Sequence, residues 1–242
     1  MVKCKYARIA QLVRALHSHC KGPWFESRFE HKMYKKILFW VILIGLLSLV
    51  PVTILSNTTL AAGLMYSTST SNLIQRFLGL ILFILLFWQI MFGAYMGRWK
   101  ERTEVAIYFL VLMHPLMYLA FRHFAGAGTD PIFVYLGVCL FCQTKLDFYY
   151  TLGRIAFWLL TVGIFASLFR ASTPFLKKNW KNFNALNYVA FLIAGIHGFL
   201  LGTDFMTPPF YYFAIIAYLL VIFTIIHKLP GLLLDYKTWL NS

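Results

Sequence analysis

Residues Leu73–Met96 read LIQRFLGLILFILLFWQIMFGAYM, with Arg76 the one charge among them. About 20 apolar residues at 1.5 Å each cross the hydrocarbon core of a bilayer as a helix. The run shows neither the strict alternation of a half-buried strand nor a broad polar stripe. It has company: the 242 residues are 60% hydrophobic, 19% aromatic and 12% charged. A soluble domain carries roughly 25% charged residues, so this composition excludes an ordinary soluble enzyme, a disordered chain and a small disulfide scaffold. The formal charge of +14 would suit a nucleic-acid binder, but in so apolar a chain basic residues mark cytoplasmic loops. No nucleic-acid partner is expected. Four cysteines make no framework from which to read a redox compartment.

Outward from that stretch, six apolar segments are long enough to span: Ile37–Leu55, Leu73–Met96, Glu104–Arg122, Thr151–Phe169, Asn184–Leu201 and Pro209–Lys228. A seventh, Pro131–Cys142, is too short and is expected to form an interfacial or re-entrant helix packed on the protein. The expected fold is all-α, an integral membrane bundle of six transmembrane helices with a short interfacial helix between spans three and four. One set of flanks holds eleven basic residues: Lys35, Lys36, Arg98, Lys100, Arg102, Arg170, Lys177, Lys178, Lys181, Lys228 and Lys237. The opposite set holds four, Arg76, Arg122, Lys145 and Arg154. The positive-inside bias therefore predicts a multi-pass protein of the cell inner (plasma) membrane with both termini cytoplasmic. Trp40, Trp99, Trp180 and Trp239 fall at the cytoplasmic boundaries, and the Phe-Tyr-Tyr triplets at 148–150 and 210–212 mark the outer one.

Residues 1–32 differ in character. Ile9, Leu12, Val13 and Leu16 could form one face of a basic amphipathic helix, and His17, His19 and Cys20 could hold a metal, although no paired ligand motif accompanies them. The strings RIAQLVRAL at 8–16 and GPWFESR at 22–28 resemble the peptide obtained by translating across a tRNA gene. That resemblance implies a spurious leader over 1–32, Met33 as the start and a remaining charge of +9. The domain would then cover 33–230, with 231–242 a short cytoplasmic tail.

Ionisable residues inside a membrane are expensive, and each is a functional hypothesis. Acids are missing from the middles of the spans, which argues against a carboxylate proton relay. His114 in span three and His197 in span five remain. Both spans run the same way, and the histidines lie ~12 Å and ~10 Å below the outer boundary. Matched depth on parallel helices suits one metal centre between them. Haem is the natural candidate, because imidazole is a standard axial ligand and a bundle can enclose a flat macrocycle; bare zinc or copper would want more protein ligands at that depth. Alternatively, each histidine simply hydrogen-bonds a neighbouring helix. His123 and His227, at span ends, read as interfacial.

The segment Phe148–Gly202 resembles the ferric reductase-like transmembrane domain, nearest to the haem-binding subunit of the periplasmic methionine sulfoxide reductase system. The residues that carry it are YTLG at 150–153, KKNW at 177–180, FNALNY at 183–188 and Ile196-His197, with HPLMY at 114–118 upstream. The resemblance extends over roughly Leu73–Lys228. It implies an electron-transfer protein binding haem b through His114 and His197, with propionates met by Arg154, Arg122 and His123. Where the family has a second pair of ligands, this chain has Asn184 and, at the membrane edge, Lys100 or Glu101, so one haem is expected. The electron donor would be a separate flavin reductase or quinol, and the acceptor an extracytoplasmic reductase or ferric iron. A bound FMN or a quinone could bridge the remaining gap. No glycine-rich phosphate loop occurs, so the chain would be an oxidoreductase subunit without its own flavin or NAD(P)H domain. The rival expectation is a non-redox permease or assembly factor with structural histidines; a family member that binds haem without transferring electrons is a second. Cys139 and Cys142 have redox-motif spacing but no strand–helix context; packing is the favoured role, with a disulfide left open. Gly79, Gly93 and Gly153 would let helices or a cofactor approach closely.

Overall fold

The structure, a computed structural model, describes residues 23–57, 67–95, 100–128, 130–139, 141–169 and 172–240. The metal and amphipathic readings of the leader fall on residues 1–22, outside the described residues. The chain forms α1 (Pro23–Asn57), α2 (Ser67–Tyr95), α3 (Lys100–Phe124), α4 (Pro131–Leu136), α5 (Lys145–Leu168), α6 (Pro174–Leu201), a 3-10 helix (Thr203–Met206) and α7 (Phe210–Leu240). No strand occurs among the described residues. Six helices carry segments long and apolar enough to cross a membrane: Ile37–Asn57, Thr70–Tyr95, Val105–Phe124, Lys145–Leu168, Asn182–Leu201 and Phe210–Lys228. The fold is an all-α membrane bundle.

These segments follow the sequence reading closely except in the fourth, which begins at Lys145 rather than Thr151. The cause is a cap that hydropathy does not see. The Thr144 hydroxyl accepts from the Asp147 backbone N–H (3.1 Å) and donates to the Asp147 carboxylate (2.7 Å), so the first turn starts on polar residues. Thr173 caps α6 likewise, accepting from Leu176 N–H at 3.2 Å with Pro174 in the first turn, where its missing N–H is harmless. The interfacial helix is α4, capped by Asp130, and it occupies the first half of the apolar run. The residues after Leu136 form a loop closed by a Cys139–Cys142 disulfide. Residues 23–32 belong to α1, which runs unbroken through Met33, and the tail drawn from residue 231 is helical to Leu240.

The chain divides into two compact units at Leu46/Leu47. The described part of the first is the beginning of α1, where Phe39 meets Trp40 edge-on at 5.1 Å. The second unit has α2 at its centre, packed on α3, α6 and α7, while α5 lies against α6 and α3. Leu80, Phe83, Ile84, Phe191, Phe210, Ala214 and Val221 are buried there. Phe83 stacks on Phe191 at 4.8 Å and meets Phe205 edge-on at 5.0 Å. Around this core Val105, Phe109, Ile216, Leu219, Phe223 and Ile226 are more than half exposed. Water would penalise such a belt; lipid solvates it.

Candidate functional site

Within the second unit, α2, α3, α5 and α6 line a cavity of about 510 Å³, with residues of α4 and the 3-10 helix at one end. Its size falls in the range of small-molecule and cofactor sites. His114 and His197 both line it. The two histidines picked from depth alone therefore share one space.

Each histidine lies against a glycine of the facing helix. A Cβ added to Gly79 would come within 3.1 Å of the His114 Cε1 atom. At Gly153 it would lie 2.7 Å from Cε1 and 2.9 Å from Nδ1 of His197. The close approach expected of Gly79 and Gly153 is thus made, and histidine rings are what approach. The His197 Nδ1 sits 2.7 Å from the Tyr149 carbonyl. Since a carbonyl only accepts, Nδ1 carries the proton and Nε2 keeps its lone pair, the arrangement typical of a metal-ligating histidine. His114 differs: its Nδ1 is buried and makes no hydrogen bond of full geometry, although the Gln75 backbone is close enough to act on the ring. Pro115 follows it inside α3. Proline has no N–H, so the Val111 carbonyl, also on the cavity wall, loses its usual helical donor.

Of the three propionate candidates, Arg154 lines the cavity and Arg122 and His123 do not. Arg122 and His123 lie two turns beyond His114, at the end of α3, and the His123 ring is exposed against Phe124. Arg154 is also engaged elsewhere. Its Nε donates to the Val134 carbonyl at 3.0 Å, a second nitrogen donates to the Gly137 carbonyl, and the guanidinium lies 4.7 Å over the Phe133 ring. It thereby closes the carbonyl end of α4. Tyr135 of α4 donates to the Leu112 carbonyl at 3.2 Å, and Trp158 Nε1 donates to the Tyr135 carbonyl at 2.9 Å. Burial pushes the Tyr135 phenol up, which keeps it a donor.

Sequence reasoning missed a clamp at the same end. The buried Asp204 carboxylate takes both Arg76 Nε (2.6 Å) and a terminal nitrogen of Arg76 (2.5 Å), and also Asn57 Nδ2 (2.8 Å). By sequence Arg76 counts only among the basic residues of the flanks, and nothing local to Asp204 marks it as its partner. Both line the cavity.

A second cavity, of about 20 Å³, is lined by Gln89, Gly93, Asn184, Asn187 and Tyr188, and shares Leu86 and Leu160 with the first. Asn187 donates to Asn184 at 3.2 Å, while Gln89 Oε1 and Asn187 Oδ1 are buried without partners. His227 lines neither cavity and is stacked on Phe223 at 6.2 Å near the end of span six. Among the described residues no three His, Cys, Asp or Glu side chains gather as a metal site would require. No protein-family model, curated protein or solved structure matches the chain.

Proposed function

We propose that the chain is a transmembrane b-type cytochrome that binds one haem between α3 and α6 and passes electrons across or within the membrane. The donor in this reading is a cytoplasmic flavin reductase or membrane quinol, and the acceptor an extracytoplasmic reductase or ferric iron. The observation that carries the reading is the pair His114 and His197 on one 510 Å³ cavity, each against a glycine. The donor set fits: two imidazoles suffice for a porphyrin iron, whereas a bare metal ion needs more protein ligands.

His114 and His197 would hold the iron and Arg154 a propionate. Haem supplies a reversible one-electron couple at that place. The rest is the work of the chain. Tyr149 fixes the proton of His197 on Nδ1 and so frees Nε2. Gly79 and Gly153 leave room for the rings. Leu80, Phe83 and Phe157 make much of the wall apolar, which excludes water and lowers the dielectric around a transferred charge. Two histidines holding one iron would favour electron transfer over substrate binding at the metal. The 20 Å³ cavity beside Asn184 supports one haem and not two.

A structural-histidine reading has one observation in its favour, the bond from His197 to Tyr149, but it gives no role to the 510 Å³ of space that both rings line. A visible spectrum separates the two. Purified from haem-replete cells, the protein should show a dithionite-reduced b-type absorption with one haem per chain, reduced at least tenfold by His114→Ala or His197→Ala. A colourless preparation would sink the cytochrome reading.

A further inference from the structure

The loop between α4 and α5 holds a bonded Cys139–Cys142 pair that the cytochrome reading does not use. Two residues between the cysteines close a very short ring, and short loops gain least from a cross-link. The loop is also held without it. Arg154 binds the Val134 and Gly137 carbonyls, Tyr135 binds Leu112, and Trp158 binds Tyr135. The pair lies outside the membrane-crossing segments, between Phe124 and Lys145. Both cysteines are half-buried, and Phe141 between them is 96% exposed, so the loop faces the surrounding medium. These are the circumstances of a reachable disulfide rather than a needed staple.

Thr151 joins the pair to the cavity. Its hydroxyl lies 3.2 Å from Cys139 Sγ and accepts from the Cys139 N–H at 3.3 Å. A disulfide sulfur has no proton, so the hydroxyl is the donor to it. Two residues back along α5, the Tyr149 carbonyl accepts from His197. Two hydrogen bonds and two residues of helix thus connect the disulfide to the cavity histidine.

We propose that Cys139–Cys142 is a thiol–disulfide exchange site for an external dithiol, and that Thr151 transmits its state to the Tyr149–His197 bond. An external thiolate attacks Cys142 Sγ, a mixed disulfide forms, and Cys139 leaves as a thiolate stabilised by the Thr151 hydroxyl. The second external thiol, deprotonated by solvent, attacks the external sulfur of the mixed disulfide. An external disulfide leaves, and Cys142 is released as a thiolate that solvent protonates. Two electrons pass from the external dithiol to the pair. The step does not depend on what the cavity holds.

Dithiothreitol serves as the probe, acting on the folded full chain in detergent. A maleimide mass tag counts thiols against a Cys139→Ser/Cys142→Ser variant, which subtracts Cys4 and Cys20. Two further thiols should appear in the wild type and vanish when oxidised dithiothreitol is returned, and Thr151→Val should slow their appearance roughly tenfold. Amide hydrogen exchange across Tyr149–Gly153 should quicken several-fold on reduction. A pair that opens only when the protein unfolds would overturn the exchange site. Exchange across Tyr149–Gly153 that is unchanged by reduction would overturn the transmission to His197. Wild-type protein alone reads both outcomes, so a Thr151→Val chain that fails to fold leaves the test standing.

Discussion

The two cavities are built on the same plan and end differently. On α5 and α6, Gly153 faces His197; ten residues further along α5 and ten back along α6, Gly163 faces Asn187, whose Oδ1 would collide with an added Cβ. The antiparallel register is the same at both places, and so is the small-residue groove. Only the side chain laid in the groove changes. Beside the imidazoles the helices enclose about 510 Å³; beside the amides they enclose about 20 Å³, with Asn184 and Asn187 bonded to each other. In this bundle the size of the cavity therefore goes with the side chain that stands at each glycine.

Several substitutions put pressure on that comparison. The largest effect is expected from Gly153→Ala. Its Cβ would press on a ring tethered to Tyr149, and a tethered ring cannot swing away, so haem content should fall at least tenfold. Gly163→Ala should leave haem content near wild type, because its Cβ presses on Asn187, which lines the small cavity and not the large one. Equal losses in the two variants would erase the distinction between the cavities.

Arg76→Leu acts on the end of the large cavity through stability. It leaves the Asp204 carboxylate, 4% exposed, with Asn57 for company. An uncompensated buried charge costs about 3 kcal/mol, which thermal unfolding of the detergent-solubilised protein would report. No drop in Tm would mean that the ion pair is not needed for closure.

Asn187→Leu removes one of the two orphaned acceptors beside the small cavity along with its bond to Asn184. The two effects are each of order 1 kcal/mol and opposed, so Tm should move little and haem content not at all. The smallest effect is expected from Asn184→His. It restores the ligand that the ferric reductase-like resemblance would place there, but 20 Å³ admits no macrocycle. Haem per chain should stay at one, and a value near two would show that the second site can be rebuilt by one residue.

Much of this was legible beforehand, for a physical reason. Lipid imposes length and hydropathy on each span separately, so Leu73–Met96 and its companions identify themselves without reference to one another. Ionisable residues are so rare inside the spans that depth along the helix was enough to pair His114 with His197. What escaped were contacts between residues far apart in sequence. Arg76 and Asp204 are 128 residues apart, and nothing local to either announces the other. The start of α5 escaped for the opposite reason: Lys145 and Asp147 look like loop residues on a hydropathy scale, whereas Thr144 makes them a first turn. By sequence Arg154 lies just inside the start of span four. With the helix beginning earlier, it sits in the third turn, deep enough both to reach the cavity and to close α4.

The clamp on Asp204 also bears on how the protein is made. Synthesis proceeds from the N-terminus, and Asn57 and Arg76 precede their common partner by 147 and 128 residues. Both must therefore pass through insertion of α2, α3, α5 and α6 without it. The carboxylate arrives in the turn before the last helix. Closure of this end of the bundle is thus timed by the order of translation, and a nascent chain arrested before residue 204 would leave a membrane-edge arginine lacking its counter-ion.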